Sequence, residues 1–330
     1  MEEAGATLVK HYRDLAFMGF VEVARNLRTI FRNIAFCKRD ILEFQPDVLV
    51  LIDYPGFNLR IARWAKEQGI RVVYYISPQL WAWHASRAHA IRRDVDKLLV
   101  ILPFEQEFFR KYGIEAEFVG HPLLDEINAE AEEPARPETR SELSNQIALL
   151  PGSRKQEVSR ILPRMLEITE AFPDYQFVVA GATSLPKAYY QTFLSGYPKV
   201  SLVQGQTYEI LRNSKAALIK SGTSTLETAL LDVPQVVCYT GNWLSYRIAR
   251  QLIKVKYISL VNLIMDRPLV RELIQDDLNK EHLTTALSEI LQPEKAAAMR
   301  AGYAELRKLL GGGGASERAA KAILKEAGIR

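Results

Sequence analysis

The sequence predicts an α/β protein built on two parallel sheets. Three observations carry this. Short apolar runs of strand length alternate with helical patterns along most of the 330 residues. Several of those runs end in turn residues that open a helix, which is the rhythm of βα units. An acidic stretch over residues 128–146, with Pro134 and Pro137, breaks the rhythm once before it resumes.

Composition fits a globular chain with two cores, at 48% hydrophobic and 25% charged residues. Two cysteines, Cys37 and Cys238, argue against a disulfide framework and fit a reducing cytosol. No apolar run is long enough to cross a bilayer. The acidic start, Met1-Glu2-Glu3, does not predict a signal peptide. A net charge of +4 suits an anionic substrate or a membrane surface and is too small to argue for nucleic acid.

In chain order, residues 6–44 read as helix, with apolar stripes through Phe17, Phe20, Leu27, Ile30 and Ile34. Val48–Asp53 reads as a buried strand between Pro46 and Pro55. Leu59–Gln68 reads as a helix stopped by Gly69, then Arg71–Ile76 as a strand and Arg87–Arg93 as a helix. Lys97–Leu102 is a predicted strand, Pro103–Tyr112 a helix and Glu117–Val119 a short strand. The second half predicts strands near 147–150, 176–180, 200–203, 216–219 and 235–239, with helices between. Residues 268–310 read as helix, Gly311–Gly314 as a flexible break and Ala315–Glu326 as an amphipathic helix. The first half thus offers only about four strands and opens on helix. The first βα unit of a doubly wound sheet is normally central. The N-terminal Rossmann-like domain is therefore expected to be incomplete.

Two strand-to-helix turns in the second half stand out. The first is Pro151-Gly152-Ser153-Arg154, followed by Glu157. Backbone N–H groups at such a place point at an anion. Ser153 can cap the helix or donate to a phosphate, and Arg154 adds a forked positive charge. An ordinary turn with a surface arginine is the other reading. The second turn is Ser221-Gly222-Thr223-Ser224, with Glu227 one helical turn on. Its small and hydroxyl residues form a cradle of donors, and Glu227 can accept ribose hydroxyls. A capping box from Ser224 to Glu227 is the alternative. Two such turns in one half point to a nucleoside diphosphate. The missing G-x-G-x-x-G and P-loop patterns count against NAD and against ATP hydrolysis.

The first half supplies candidates at strand ends. Asp53, at the end of its strand, is a candidate general base or a turn residue. Ser77 and Trp81, in Ser77-Pro78-Gln79-Leu80-Trp81-Ala82-Trp83-His84, suit an apolar or sugar-faced pocket or a packed loop. His121, in Gly120-His121-Pro122, lines the cleft or is structural. Asp94-Val95-Asp96 has the form of a metal-holding D-x-D. It precedes a strand rather than following one, so it reads as surface, and no other cluster suggests a metal site. Trp243–Tyr257 combines aromatic and basic residues, which fits either an anionic membrane surface or a packed helix with a solvated face.

A family resemblance rests on motifs in order: Gly19–Val23, Ile52–Asn58 (IDYPGFN), Tyr75–Trp83 (YISPQLWAW), Gly120–Pro122 (GHP), Leu149–Arg154 (LLPGSR), Ser221–Glu227 (SGTSTLE) and Val261–Leu263 (VNL). Together they resemble the lipid-A-disaccharide synthases of Gram-negative lipopolysaccharide synthesis. The resemblance implies a GT-B fold, two Rossmann-like domains facing across a cleft. It implies residues 1–145 as the acceptor-side domain and 146–312 as the UDP-sugar domain, with the helix of 315–330 returning to the first. It implies transfer of 2,3-diacylglucosamine from UDP-2,3-diacylglucosamine to 2,3-diacylglucosamine 1-phosphate (lipid X). By position, Asp53 matches the family's essential acidic residue. Ser153, Arg154, Glu157, Ser221, Gly222, Thr223, Ser224, Glu227 and Asn262 fall on the UDP side. Asn58, Ser77, Trp81 and His121 fall on the acceptor side of the cleft. The donor's diphosphate is expected on the two helix N-termini. The family implies no cofactor and no metal, no nucleic acid, and peripheral attachment to the cytosolic face of the inner membrane. A homodimer is left open. A strand, a Gly/Ser-rich acidic loop and a second strand precede these motifs in the family. Other GT-B enzymes on UDP-GlcNAc, a peptidoglycan transferase or a 2-epimerase, remain the alternative, beside an inactive nucleotide-binding protein.

Overall fold

The computed structural model describes residues 2–11, 27–83, 85–132, 145–241 and 256–329. The first sheet has four parallel strands in the order β1-β2-β3-β4: Leu49–Ile52, Val72–Tyr75, Lys97–Val100 and Ala116–Phe118. Helices α1 (Leu27–Phe44), α2 (Pro55–Glu67), α3 (Leu80–Trp83), α4 (Ala88–Asp94) and α5 (Glu105–Arg110) belong to this half. Helix α2 begins earlier than its apolar pattern suggests. Pro55 sits in its first turn, where a missing N–H costs nothing. The predicted helix over 6–44 appears as α1; residues 6–11 are irregular, and 12–26 lie outside the described residues. Asp94 is buried and bonded to Arg93, so it is not the surface residue the sequence suggested.

Helix α6 (Pro122–Glu132) joins the halves. It extends into the acidic stretch expected to be irregular, because Ala129–Glu132 are good helix formers with no proline among them. The rest of that stretch, 133–144, lies outside the described residues.

The second sheet has six parallel strands in the order β10-β9-β8-β5-β6-β7. They are β5 (Gln146–Leu150), β6 (Gln176–Gly181), β7 (Val200–Gln204), β8 (Ala216–Lys220), β9 (Gln235–Tyr239) and β10 (Arg271–Ile274). Helices α7 (Lys155–Leu166), α8 (Lys187–Leu194), α9 (Thr207–Arg212), α10 (Ser224–Leu230), α11 (Leu260–Met265), α12 (Lys280–Leu291) and α13 (Pro293–Leu309) accompany it. Ile147, Ala148 and Leu149 of β5 and Ala216–Ile219 of β8 are wholly buried. That explains their continuous apolar runs, since a parallel strand is covered on both faces. Strand β10 corrects the expectation of unbroken helix over 268–310. Its sequence, Arg-Glu-Leu-Ile, is short and half charged, and it forms the sheet edge beside β9.

The chain runs outward from β5 through β6 and β7, then returns to lay β8 on the other side of β5. The strand order therefore reverses between β5 and β8. A crevice forms at the carboxyl ends of the strands at such a point.

Helix α14 (Ala315–Glu326) lies against the first sheet. Ala319 packs with Val73, Leu99 and Val119. Arg318 Nε donates to the Val119 carbonyl at 2.8 Å. The Asp125 carboxylate of α6 caps α14 from a distance in sequence. It accepts from the N–H groups of Gly314, of Ala315 at 3.2 Å and of Ser316 at 2.8 Å. Burial opposes its charge, but these hydrogen bonds hold its carboxyl below the usual range. Meanwhile Leu124 and Ile127 of α6 join the core of the six-stranded half. One helix thus grips both halves. Replacing the cap, Asp125→Ala, is expected to cost about 1–2 kcal/mol. Faster amide exchange at Gly314–Ser316 is the check; unchanged exchange there would contradict the clasp.

Candidate active site

The crevice predicted by the strand order is present. A cavity of about 980 Å³ opens at the carboxyl ends of β5, β6 and β8. Its lining includes Ser153, Arg154, Glu157, Gly222, Thr223, Ser224 and Glu227, from both turns singled out in the sequence.

The first turn differs from its expected form. Ser153 does not cap α7. The Glu157 carboxylate does that work, accepting from Ser153 N–H at 3.1 Å and Arg154 N–H at 3.3 Å. It also pairs with Lys220 at 3.0 Å and with Arg154 at 3.4 Å. Burial opposes the charge of Glu157, but Lys220, Arg154 and the Ser153 N–H hold its pKa below the usual range. Gly152, at φ +107°, leaves room for this, because a Cβ there would lie 2.6 Å from a Glu157 oxygen. The anion expected on this helix N-terminus is therefore already supplied by the chain itself.

Gly222, Thr223 and Ser224 of the second turn line the cavity. The N-cap of α10 is Thr223, and no side-chain capping bond forms, so the capping-box alternative falls. Ser221 is different: its hydroxyl donates to the Ile258 carbonyl at 2.9 Å, which ties the turn to the segment before α11. Glu227 faces the cavity with Glu126 of α6. Burial, then the charge of Glu126, push Glu227 up to about 7.

Asn262 is corrected. It is 1% exposed and absent from the cavity lining. Its amide donates to Val270 O at 2.8 Å and Glu272 at 2.9 Å, and its carbonyl accepts from Val270 N at 2.9 Å. It pins β10 to α11. Sequence reading missed Glu272, which accepts from the N–H groups of Ile258 at 3.0 Å and Ser259 at 2.9 Å. It also missed Glu126, and it named Lys220 only as the first residue of the second motif, without its pairing to Glu157.

In the first half, Asp53 is exposed at the carboxyl end of β1. Asp53 and Tyr54 both adopt left-handed backbone, with φ of 45° and 44°. Each such residue costs about 1–2 kcal/mol, so the turn must be held. Asn58 holds it, donating to the carbonyls of Ile52 at 2.9 Å and Asp53 at 2.7 Å. Tyr74 also donates to the Asp53 carbonyl, at 2.6 Å. Asn58 is thus a support for Asp53 rather than a wall of the cleft.

Ser77 and Trp81 converge on Glu105, which is 1% exposed. Its carboxylate accepts from the Ser77 hydroxyl at 2.6 Å, the Trp81 indole N–H at 3.2 Å and Leu102 N–H at 3.0 Å. Burial raises the Glu105 pKa against these bonds. His121 is buried, and burial lowers its pKa to about 4. Its Nδ1 accepts from Leu123 N–H at 3.2 Å, so it is a neutral ring at pH 7. Among the described residues, no group of three or more metal-ligating side chains comes together. The aromatic and basic stretch Trp243–Tyr257 lies outside the described residues except for Lys256 and Tyr257, as do His84 and Gly19–Val23.

The fold has counterparts among solved structures. The UDP-GlcNAc 2-epimerase from Neisseria meningitidis bound to UDP-GlcNAc superposes with a TM-score of 0.64 at 16% identity, covering 94% of this chain and 83% of that one. The glycotransferase of kitacinnamycin superposes with a TM-score of 0.60 at 14% identity, covering 93% and 82%. At such identities the likeness establishes the GT-B fold alone. Sequence goes further. Residues 1–326 match the family described as lipid-A-disaccharide synthetase. The lipid-A-disaccharide synthase of Syntrophus aciditrophicus (strain SB) is 42% identical over 97% of this chain and 86% of its own length. That of Anaeromyxobacter dehalogenans (strain 2CP-C) is 41% identical over 98% and 87%. With its motifs in order and its cavity at the strand-order reversal, the chain belongs to the lipid-A-disaccharide synthase family.

Proposed function

We propose that the chain transfers a 2,3-diacylglucosamine unit from its UDP derivative to the 6-hydroxyl of 2,3-diacylglucosamine 1-phosphate. The observation that carries the reading is the cavity between β5 and β8, which holds Arg154 and Glu227 in a chain of this family. The diphosphate lies against Arg154 and the first turn of α10. Glu227 accepts the ribose hydroxyls. Because Glu157 fills the N–H groups of its own turn, it shapes the loop rather than touching phosphate.

Asp53 takes the proton of the acceptor hydroxyl as its oxygen bonds to the anomeric carbon. The bond from that carbon to the diphosphate breaks on the opposite side, and UDP leaves with the electron pair. Arg154 and the oriented N–H groups of α10 stabilise the developing charge. The strained turn under Asp53 presets the carboxylate, in the manner of backbone strain at functional sites.

The protein works at a membrane surface as a peripheral protein. Helix α1 supports this, with Phe31 and Phe44 at 58% and 80% exposure beside exposed Arg28, Arg32 and Arg39. No helix among the described residues is long and apolar enough to cross a membrane.

Two measurements test the reading. UDP release in detergent micelles should require both lipids and should not occur with UDP-GlcNAc alone. Asp53→Asn should lower kcat by about 100-fold or more with little change in donor KM. A variant that keeps most of its turnover would remove the base. Second, the carboxylate form of Glu227 accepts the ribose hydroxyls, so UDP binding expels a proton. The ratio of wild-type to Glu227→Gln affinity should rise about tenfold between pH 6 and pH 8. A ratio constant with pH would contradict that contact.

A further inference from the structure

A second cavity, of about 280 Å³, lies between the two halves. One wall is Trp81, Phe104 and Phe108 from the four-stranded half; the other is Tyr257 and Leu263 from the six-stranded half. All five are half-buried. Nothing in the transfer step uses these rings.

The walls are built rather than incidental. Trp81 is locked by its indole N–H to the buried Glu105 and stands edge-on to Phe104, with centroids 5.0 Å apart. Phe108 lies one helical turn from Phe104. Across the groove, Tyr257 precedes Ile258 and Ser259, whose N–H groups are held by Glu272. A carboxylate thus anchors each side. The rim cations are already paired, Lys111 with Glu107 at 3.2 Å and Lys256 with Asp266 at 3.4 Å. The groove therefore offers an aromatic slot with no unbalanced charge at its mouth. That suits an uncharged apolar chain better than an anion.

We infer that this groove receives an acyl chain of the acceptor lipid and sets the enzyme's acyl-length preference. The inference rests on the transfer reaction proposed above. The acceptor rather than the donor is indicated because Ser77 and Trp81 follow β2, the strand beside β1 and its Asp53. The nucleotide cavity opens separately, at β5 and β8.

The test varies acceptor chain length at saturating donor. Phe108→Ala and Tyr257→Ala remove one ring from each wall. Each should raise KM for a long-chain acceptor about tenfold more than KM for a short-chain acceptor. Equal changes for both lengths, or none, would overturn the inference. So would a selectivity change that follows the donor's chains instead. Failure of the wild type to release UDP with either acceptor would remove the proposed reaction, leaving the groove to a binding measurement. A long-chain acceptor with brominated acyl groups should quench tryptophan emission, half-saturating at about tenfold higher concentration in Tyr257→Ala. Equal half-saturation in the two proteins would overturn the groove whatever the activity.

Discussion

The carboxylate of Glu157 holds the centre of this structure together. It fills the backbone donors of the turn after β5 and reaches across to Lys220 at the end of β8. Those two strands are where the order of the sheet reverses. Without that carboxylate, two N–H groups would lack their partner and Lys220 would face the cavity without its counter-charge. The same device recurs around the cleft. Glu105 secures Ser77 and Trp81, Glu272 secures the approach to α11, and Asp125 secures α14. Irregular segments are thus fixed by carboxylates, some within one turn in sequence, as Glu157 is for Ser153, and some far along the chain, as Asp125 is for α14.

The turn that carries Asp53 and the turn braced by Glu157 are held differently. In the turn after β5, glycine lets backbone and side chain approach closely, as at Gly152. In the four-stranded half, three non-glycine residues at strand ends adopt left-handed backbone: Asp53, Tyr54 and the β-branched Ile76, at φ 59°. All three sit at the carboxyl ends of β1 and β2. Asn58 and Tyr74 compensate at Asp53. Strained residues at the adjacent ends of β1 and β2 fit a site that must aim a side chain.

Elements whose logic is local were legible in the sequence. Buried parallel strands such as β5 and β8 declare themselves by uninterrupted apolar runs. The turns after them carry small residues for reasons visible within a few positions. Much of what the sequence hid depends on partners far along the chain. β10 is short and charged because it is an edge strand. Asn262 resembles a ligand residue but binds backbone and a carboxylate of β10. Ser153 looked like a helix cap until Glu157, four residues on, proved to take its N–H. Motif order revealed the family; it could not reveal which motif residues face the cavity and which brace it.

The account turns on the nucleotide lying at the reversal between β5 and β8. Amide hydrogen exchange with and without UDP tests this most directly. Added protection is expected in residues 152–157 and 222–227, with β1 and its Asp53 turn unchanged. Protection confined to the four-stranded half, or none in either turn while UDP is bound, would contradict it.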